Sequence, residues 1–165
     1  MTFLGDGLFI LIVILPIAFI RIRYAVLTVI TYVVSGIIAQ IIKHIVQSPR
    51  PLKYLVNFEN LHIVQGIDIY YHNSFPSGHS ATAFALFLTL SLVTKNNLMS
   101  LFFFLIAFFV CISRIYLLQH FLIDVWAGSI IGVVTAIVFF VIFEKNKKIN
   151  NSHWLNFSIY NRLKH

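Results

Sequence analysis

The chain has 165 residues, of which 59% are hydrophobic and 10% charged, and its mean hydropathy is +0.90. Soluble globules carry roughly a quarter of their residues as charges, so this chain lacks the polar surface to coat itself in water, and its length suits one domain rather than two. The net charge of +7 does not gather into a basic face with interleaved aromatics, which argues against a nucleic-acid binder, and the single cysteine, Cys111, excludes an intrachain disulfide or a multi-cysteine metal site.

A bilayer-spanning helix needs about 20 mostly apolar residues. In chain order, five segments come near that length: 7–20, 24–42, 77–94, 98–117 and 125–143. The first is short, holds Pro16 and comes after Asp6. No charged start with a small-residue cleavage site marks a secretory signal ahead of it. The long connection, 47–75, carries Glu59, Asp68 and a Pro-Arg-Pro start, and reads as a cap at the membrane face with a short interfacial helix. "HFLID" ahead of the last segment is expected to extend that helix back to about His120. The tail 144–165 mixes aromatics with cations, as an interfacial segment or a disordered basic tail would. The predicted architecture is an all-α, multi-span transmembrane bundle in a single domain, 1–165.

Alternating five spans puts Arg21, Arg23, Lys95, Lys145, Lys147, Lys148, Arg162 and Lys164 on one side. Positive residues favour the cytoplasm. The 47–75 connection then faces outward, toward a periplasm or its equivalent, and the tail faces the cytoplasm.

Charged groups in membrane segments are costly and are functional candidates by default. Here they break the apolar pattern in three places: "KHIVQSPRP" with Lys43 and Arg50, "PSGH" at 76–79, and "SRIYLLQHFLID" with Ser113, Arg114, His120 and Asp124. The alternation of spans brings all three to one membrane face. Two arginines and a lysine suit a dianionic phosphate, since guanidinium forks bind its oxygens in pairs. Ser77 and Gly78 open a helix whose first N–H groups have no intrahelical acceptor and point at an anion. His120 and Asp124, four apart, are expected on one helical face, where the carboxylate fixes the imidazole tautomer. Such a histidine can act as a nucleophile, and His79 can protonate the leaving oxygen. Singly, each residue has an ordinary role: a wet interfacial histidine, a snorkelling cation, a helix start, or an aspartate neutralising Arg114. His44, His62, His72 and His153 lack a comparable setting, with His72 and Asn73 left as candidate headgroup contacts.

These stretches resemble the three signature motifs of the type 2 phosphatidic acid phosphatase (PAP2) superfamily: "K43-x6-R50-P51", "P76-S77-G78-H79" and "S113-R114-x5-H120-x3-D124". The motifs match in residue type, order and spacing, and span 43–124. That superfamily includes membrane lipid phosphatases, glucose-6-phosphatase and soluble haloperoxidases, and the hydrophobicity favours the lipid phosphatase branch. The resemblance implies that His120 is the nucleophile forming a phosphohistidine, Asp124 orients it and His79 is the general acid. It implies that Lys43, Arg50, Ser77, Gly78 and Arg114 bind the phosphate, with no metal and no other cofactor. The implied partner is a phosphorylated membrane lipid in a bacterial inner membrane: phosphatidic acid, phosphatidylglycerol phosphate, undecaprenyl pyrophosphate or a lipid A phosphate. One departure stands out. Membrane members commonly have six spans, and "FLGDG" at 3–7 resembles the segment after their first span. Five spans are therefore expected here, with the usual first one missing. A non-catalytic lipid-binding protein, or a lipid transporter using the same basic site, are the alternatives.

Overall fold

The computed structural model describes residues 7–55 and 70–157. They form seven helices: α1 (Gly7–Ile20), α2 (Ile22–Val46), α3 (Pro51–Leu55), α4 (Gly78–Thr94), α5 (Asn97–Tyr116), α6 (Leu122–Lys145) and α7 (Lys147–Asn150), with no strand among the described residues. The five apolar segments read from the sequence are α1, α2, α4, α5 and α6. Three stretches are long and apolar enough to cross a membrane: α2 with α3, then α5, then α6. α4 is a shorter apolar helix of 17 residues.

α4 is the hub and packs against α2, α5 and α6, while α1 rests on α2. Its sequence explains why: Ser80, Ala81, Ala83 and Ala85 are buried among larger residues, and small side chains let neighbouring backbones come close. The closest approach is to α6. A Cβ at Gly128 would overlap the Ser77 carbonyl oxygen and stand 3.1 Å from Ser80 Cβ. One turn on, a Cβ at Gly132 would overlap the Ala81 carbonyl and lie 2.8 Å from Ala85 N. "GSIIG" is thus a docking strip for α4, and a methyl group at either glycine would push the helices apart. On the other flank the Thr31 and Thr89 hydroxyls meet at 3.1 Å, joining α2 to α4.

α5 buries one stripe, Ala107, Val110, Cys111 and Arg114, and leaves Phe102, Phe104, Phe108, Phe109 and Ile112 exposed. An apolar face of this extent is suited to hydrocarbon rather than water. α5 ends in a Schellman motif: Gln119 N–H donates to Arg114 O at 3.1 Å and Leu118 N–H to Ile115 O at 3.0 Å. Leu118 stands at the left-handed position of that motif with φ 55°, where glycine is usual.

At the opposite end of the bundle, Arg23 is buried and donates to the Phe143 carbonyl and, at 3.2 Å, to Glu144 Oε1. The tail returns over this end, with Arg23 N–H bonded to Leu155 O at 2.9 Å. The expected tail segment is therefore ordered against the start of α2 through Phe157; residues 158–165, with Arg162 and Lys164, lie outside the described ones. The short helix expected in the 47–75 connection is α3. Residues 56–69, which include Glu59, His62 and Asp68, lie outside the described residues, as does Asp6.

Candidate active site

α2 ends, α4 begins, α5 ends and α6 begins at the same end of the bundle, and the three sequence stretches meet there. Lys43 is in the last turn of α2, and Arg50 directly precedes α3, whose first residue is Pro51. Ser77 caps α4, with Gly78 and His79 as its first two residues. Arg114 lies in the last turn of α5 and Asp124 in the first turn of α6.

His120 corrects one expectation. The helix does not reach back to it: α6 starts at Leu122, and His120 belongs to the turn after α5. Asp124 is the reason. Its Oδ2 accepts the Phe121 backbone N–H at 2.8 Å, so the carboxylate caps the helix at Phe121. His120 and Asp124 still come together, with Nδ1 3.6 Å from Oδ2 and both side chains buried. Their proximity comes from the cap and the preceding turn, not from a shared helical face. The Arg114 carbonyl fixes that turn by accepting His120 N–H at 3.3 Å as well as Gln119 N–H.

Asp124 also holds the start of α4, because its carbonyl accepts Ser77 N–H at 2.9 Å. Ser77 is wholly buried. Its Oγ accepts the Ser80 backbone N–H at 3.4 Å and the Ser80 hydroxyl at 3.0 Å, so its side chain serves as the helix cap. A Cβ on Gly78 would meet no protein atom within 4 Å, and its backbone is not left-handed. Neither packing nor dihedral angles call for a glycine there. An anion approaching the backbone would use that open space.

The cations are anchored differently. Arg50 Nε donates to the His72 carbonyl at 2.9 Å, Arg50 N–H donates to Tyr71 O at 3.0 Å, and the guanidinium lies 5.0 Å from the Tyr70 ring centroid. His72 thus meets the site through its backbone. Arg114 is 1% exposed and its Nη1 donates to Gln119 Oε1 at 2.9 Å. Lys43 is half-buried, as is His79.

Burial pushes the His120 imidazole below its ordinary range. The adjacent Asp124 carboxylate works against that, while the charges of Arg50 and Lys43 add to it. A neutral imidazole with its proton on Nδ1, facing the carboxylate, leaves a lone pair on Nε2.

Three contributors escaped the sequence reading: Ser74, whose hydroxyl donates to Asp124 Oδ2; Ser48, which binds the chain at 74 and 75; and Gln119, the partner of Arg114. None of the three breaks an apolar run or matches a motif, so none carried a signal in the sequence.

The sequence model of the PAP2 superfamily matches residues 9–148. The chain belongs to the PAP2 superfamily. Among curated proteins, the bacitracin transport permease protein BcrC of Bacillus licheniformis is 34% identical over 112 residues, 68% of this chain and 52% of that protein. The chain thus spans about half the length of that relative. The crystal structure of LpxE from Aquifex aeolicus superposes with a TM-score of 0.74 and 24% identity, over 85% of this chain and 81% of that one, and shares its fold. Membership in this family and the apolar helices make the chain an integral membrane protein.

Proposed function

We propose that the chain is a single membrane-embedded phosphatase domain that hydrolyses a phosphate monoester or pyrophosphate on a lipid. The observation that carries this reading is the buried His120–Asp124 pair, set beside the open mouth of α4 and within electrostatic reach of Lys43 and Arg50. His120 Nε2 attacks phosphorus while the bond from phosphorus to the leaving oxygen breaks, and His79 gives that oxygen a proton. Water then attacks the phosphohistidine, giving a proton back to His79 while the P–N bond breaks with its electron pair returning to Nε2, and inorganic phosphate leaves. Lys43, Arg50 and Arg114, with Ser77 and the Gly78 backbone, balance the charge on the phosphoryl oxygens. The side chains supply this positive charge themselves, so the proposed reaction calls for no metal ion, and activity is expected to survive a chelator.

The end of the bundle that carries Arg21, Arg23, Lys95, Lys145, Lys147 and Lys148 is assigned to the cytoplasm. The site then opens on the outer face of a bacterial plasma membrane. Phosphatidic acid, phosphatidylglycerol phosphate, undecaprenyl pyrophosphate and a lipid A phosphate all present the group this site would bind. Phosphate release from these lipids by the detergent-solubilised chain tests the reading. His120→Ala is expected to lower it by about 10³-fold or more, and near-normal release would refute the mechanism.

A transport reading is favoured only by the name of the Bacillus licheniformis relative. It predicts lipid movement across liposomes that persists in His120→Ala.

A further inference from the structure

Three donors crowd one oxygen. The Ser74 hydroxyl and the Phe121 N–H both end on Asp124 Oδ2, and His120 Nδ1 stands 3.6 Å from the same atom. A direct charge-assisted N–H···O bond closes to about 2.7–2.9 Å, so the imidazole is held outside that distance. Ser74 holds the nearer place, and its Oγ is also 3.5 Å from Nδ1. It is wholly buried and cannot turn to solvent. Its backbone N–H is bonded to Ser48 O at 2.9 Å, and the next N–H to Ser48 Oγ at 2.8 Å. Its position is therefore dictated by the segment between α2 and α3, independently of α6.

We propose that Ser74 is a positioning residue that sets the basicity of His120 by occupying the Asp124 lone pair the imidazole would otherwise bind. The inference rests on His120 as the nucleophile. Attack needs a neutral ring, because an imidazolium has no lone pair to offer. The groups around His120 pull in both directions. Lys43 from α2 and Arg50 from the segment before α3 disfavour the imidazolium, and Asp124 from α6 favours it. His79 in the first turn of α4 and Arg114 in the last turn of α5 are further titratable and charged groups on the elements around it. Ser74 is neutral, yet by weakening Asp124 it acts in the same direction as burial and the two cations. Removing it would let the carboxylate close on Nδ1–H and stabilise the charged ring.

Two readouts on the full chain in detergent test this. Ring-labelled histidine NMR, with the His120 signal assigned by its loss in His120→Gln, gives the imidazole titration midpoint without substrate. The pH profile of phosphate release from dioctanoyl phosphatidic acid gives the same ionisation in turnover. In Ser74→Ala the midpoint is expected to move up. The rate at pH 5.5 relative to pH 7.5 is expected to fall about threefold or more below the wild-type ratio. Ser74→Cys, of nearly the same shape but with a weak S–H donor, should shift the same way by less, and it decides the matter if the alanine variant does not fold. A midpoint that stays put or moves down overturns the proposal, even if activity falls, since a merely structural serine would lower activity without retuning the ring. Phosphate release that survives His120→Ala would refute His120 as the nucleophile and with it the catalytic meaning of Ser74. An unmoved midpoint beside an inactive His120→Ala refutes the Ser74 proposal alone.

Discussion

α6 carries a carboxylate in its first turn and another in its last, and the protein treats them oppositely. Asp124 is buried, and its Oδ2 accepts from Ser74 and Phe121 with His120 close by. Glu144 is 43% exposed along its side chain and pairs with Arg23 at 3.2 Å. The helix field explains part of the contrast. Negative charge is favoured at a helix N-terminus and disfavoured at its C-terminus, so the first-turn position of Asp124 helps stabilise it alongside the fields of Lys43 and Arg50. Glu144 needs Arg23, whose guanidinium also binds the Phe143 carbonyl of the same last turn. One end thus uses its charge to keep a histidine in place. The other cancels its charge and ties the end of α6 to α2. A buried charge signals chemistry only when its partners leave it work to do.

Substitutions can break this contrast, beginning with those of largest effect. Asp124→Asn keeps the shape of the cap but removes the carboxylate, and should lower kcat by about 10²–10⁴-fold while the detergent-solubilised protein melts near the wild-type temperature. Melting and phosphate release measured on one preparation would check both halves. Gly128→Ala is expected to act next, and on both properties. Its Cβ would overlap Ser77 O and push α4 from α6, so stability should fall by about 1–3 kcal/mol along with activity. Gly78→Ala makes the sharper comparison. No protein atom lies near that Cβ, so stability should barely change, while kcat/KM falls by about tenfold or more because the methyl occupies the phosphate's approach. The smallest effect belongs to the distal end. Glu144→Gln should cost about 1 kcal/mol, because Glu144 is exposed and Arg23 keeps its bond to the Phe143 carbonyl, with activity per folded molecule unchanged. A large loss of activity there would erase the distinction between the two ends.

Much of this was legible in the sequence, for physical reasons. Apolar runs of near-bilayer length located five helices, because hydrocarbon tolerates little else. Lys43, Arg50, His79, Arg114, His120 and Asp124 stood out because each breaks such a run or borders one, and alternation of direction brought them to one end. The features that stayed hidden depend on distant contacts or on backbone geometry. Ser74 reads as an ordinary loop serine until Ser48, 26 positions earlier, fixes it beside Asp124. Gly128 and Gly132 read as filler in an apolar helix until α4 is laid against them. The start of α6 was misplaced because a histidine and an aspartate four apart look like one turn of helix, whereas here the aspartate caps a helix that begins after the histidine. Leu118 gave no warning, since its left-handed conformation has no sequence signal in leucine.

That leucine bears on how far Arg114 stands from His120 along the chain. A Schellman closure joins residues five apart, here Arg114 and Gln119, and the next N–H reaches the same carbonyl. The five intervening positions are therefore a gauge, cut to the length at which the chain can turn back and deliver a histidine above the arginine's own backbone. One residue fewer would put the histidine at the closing N–H of the motif instead of just after it. One residue more would swing His120 away from Asp124. The interval in the sequence is a bond pattern written as a number.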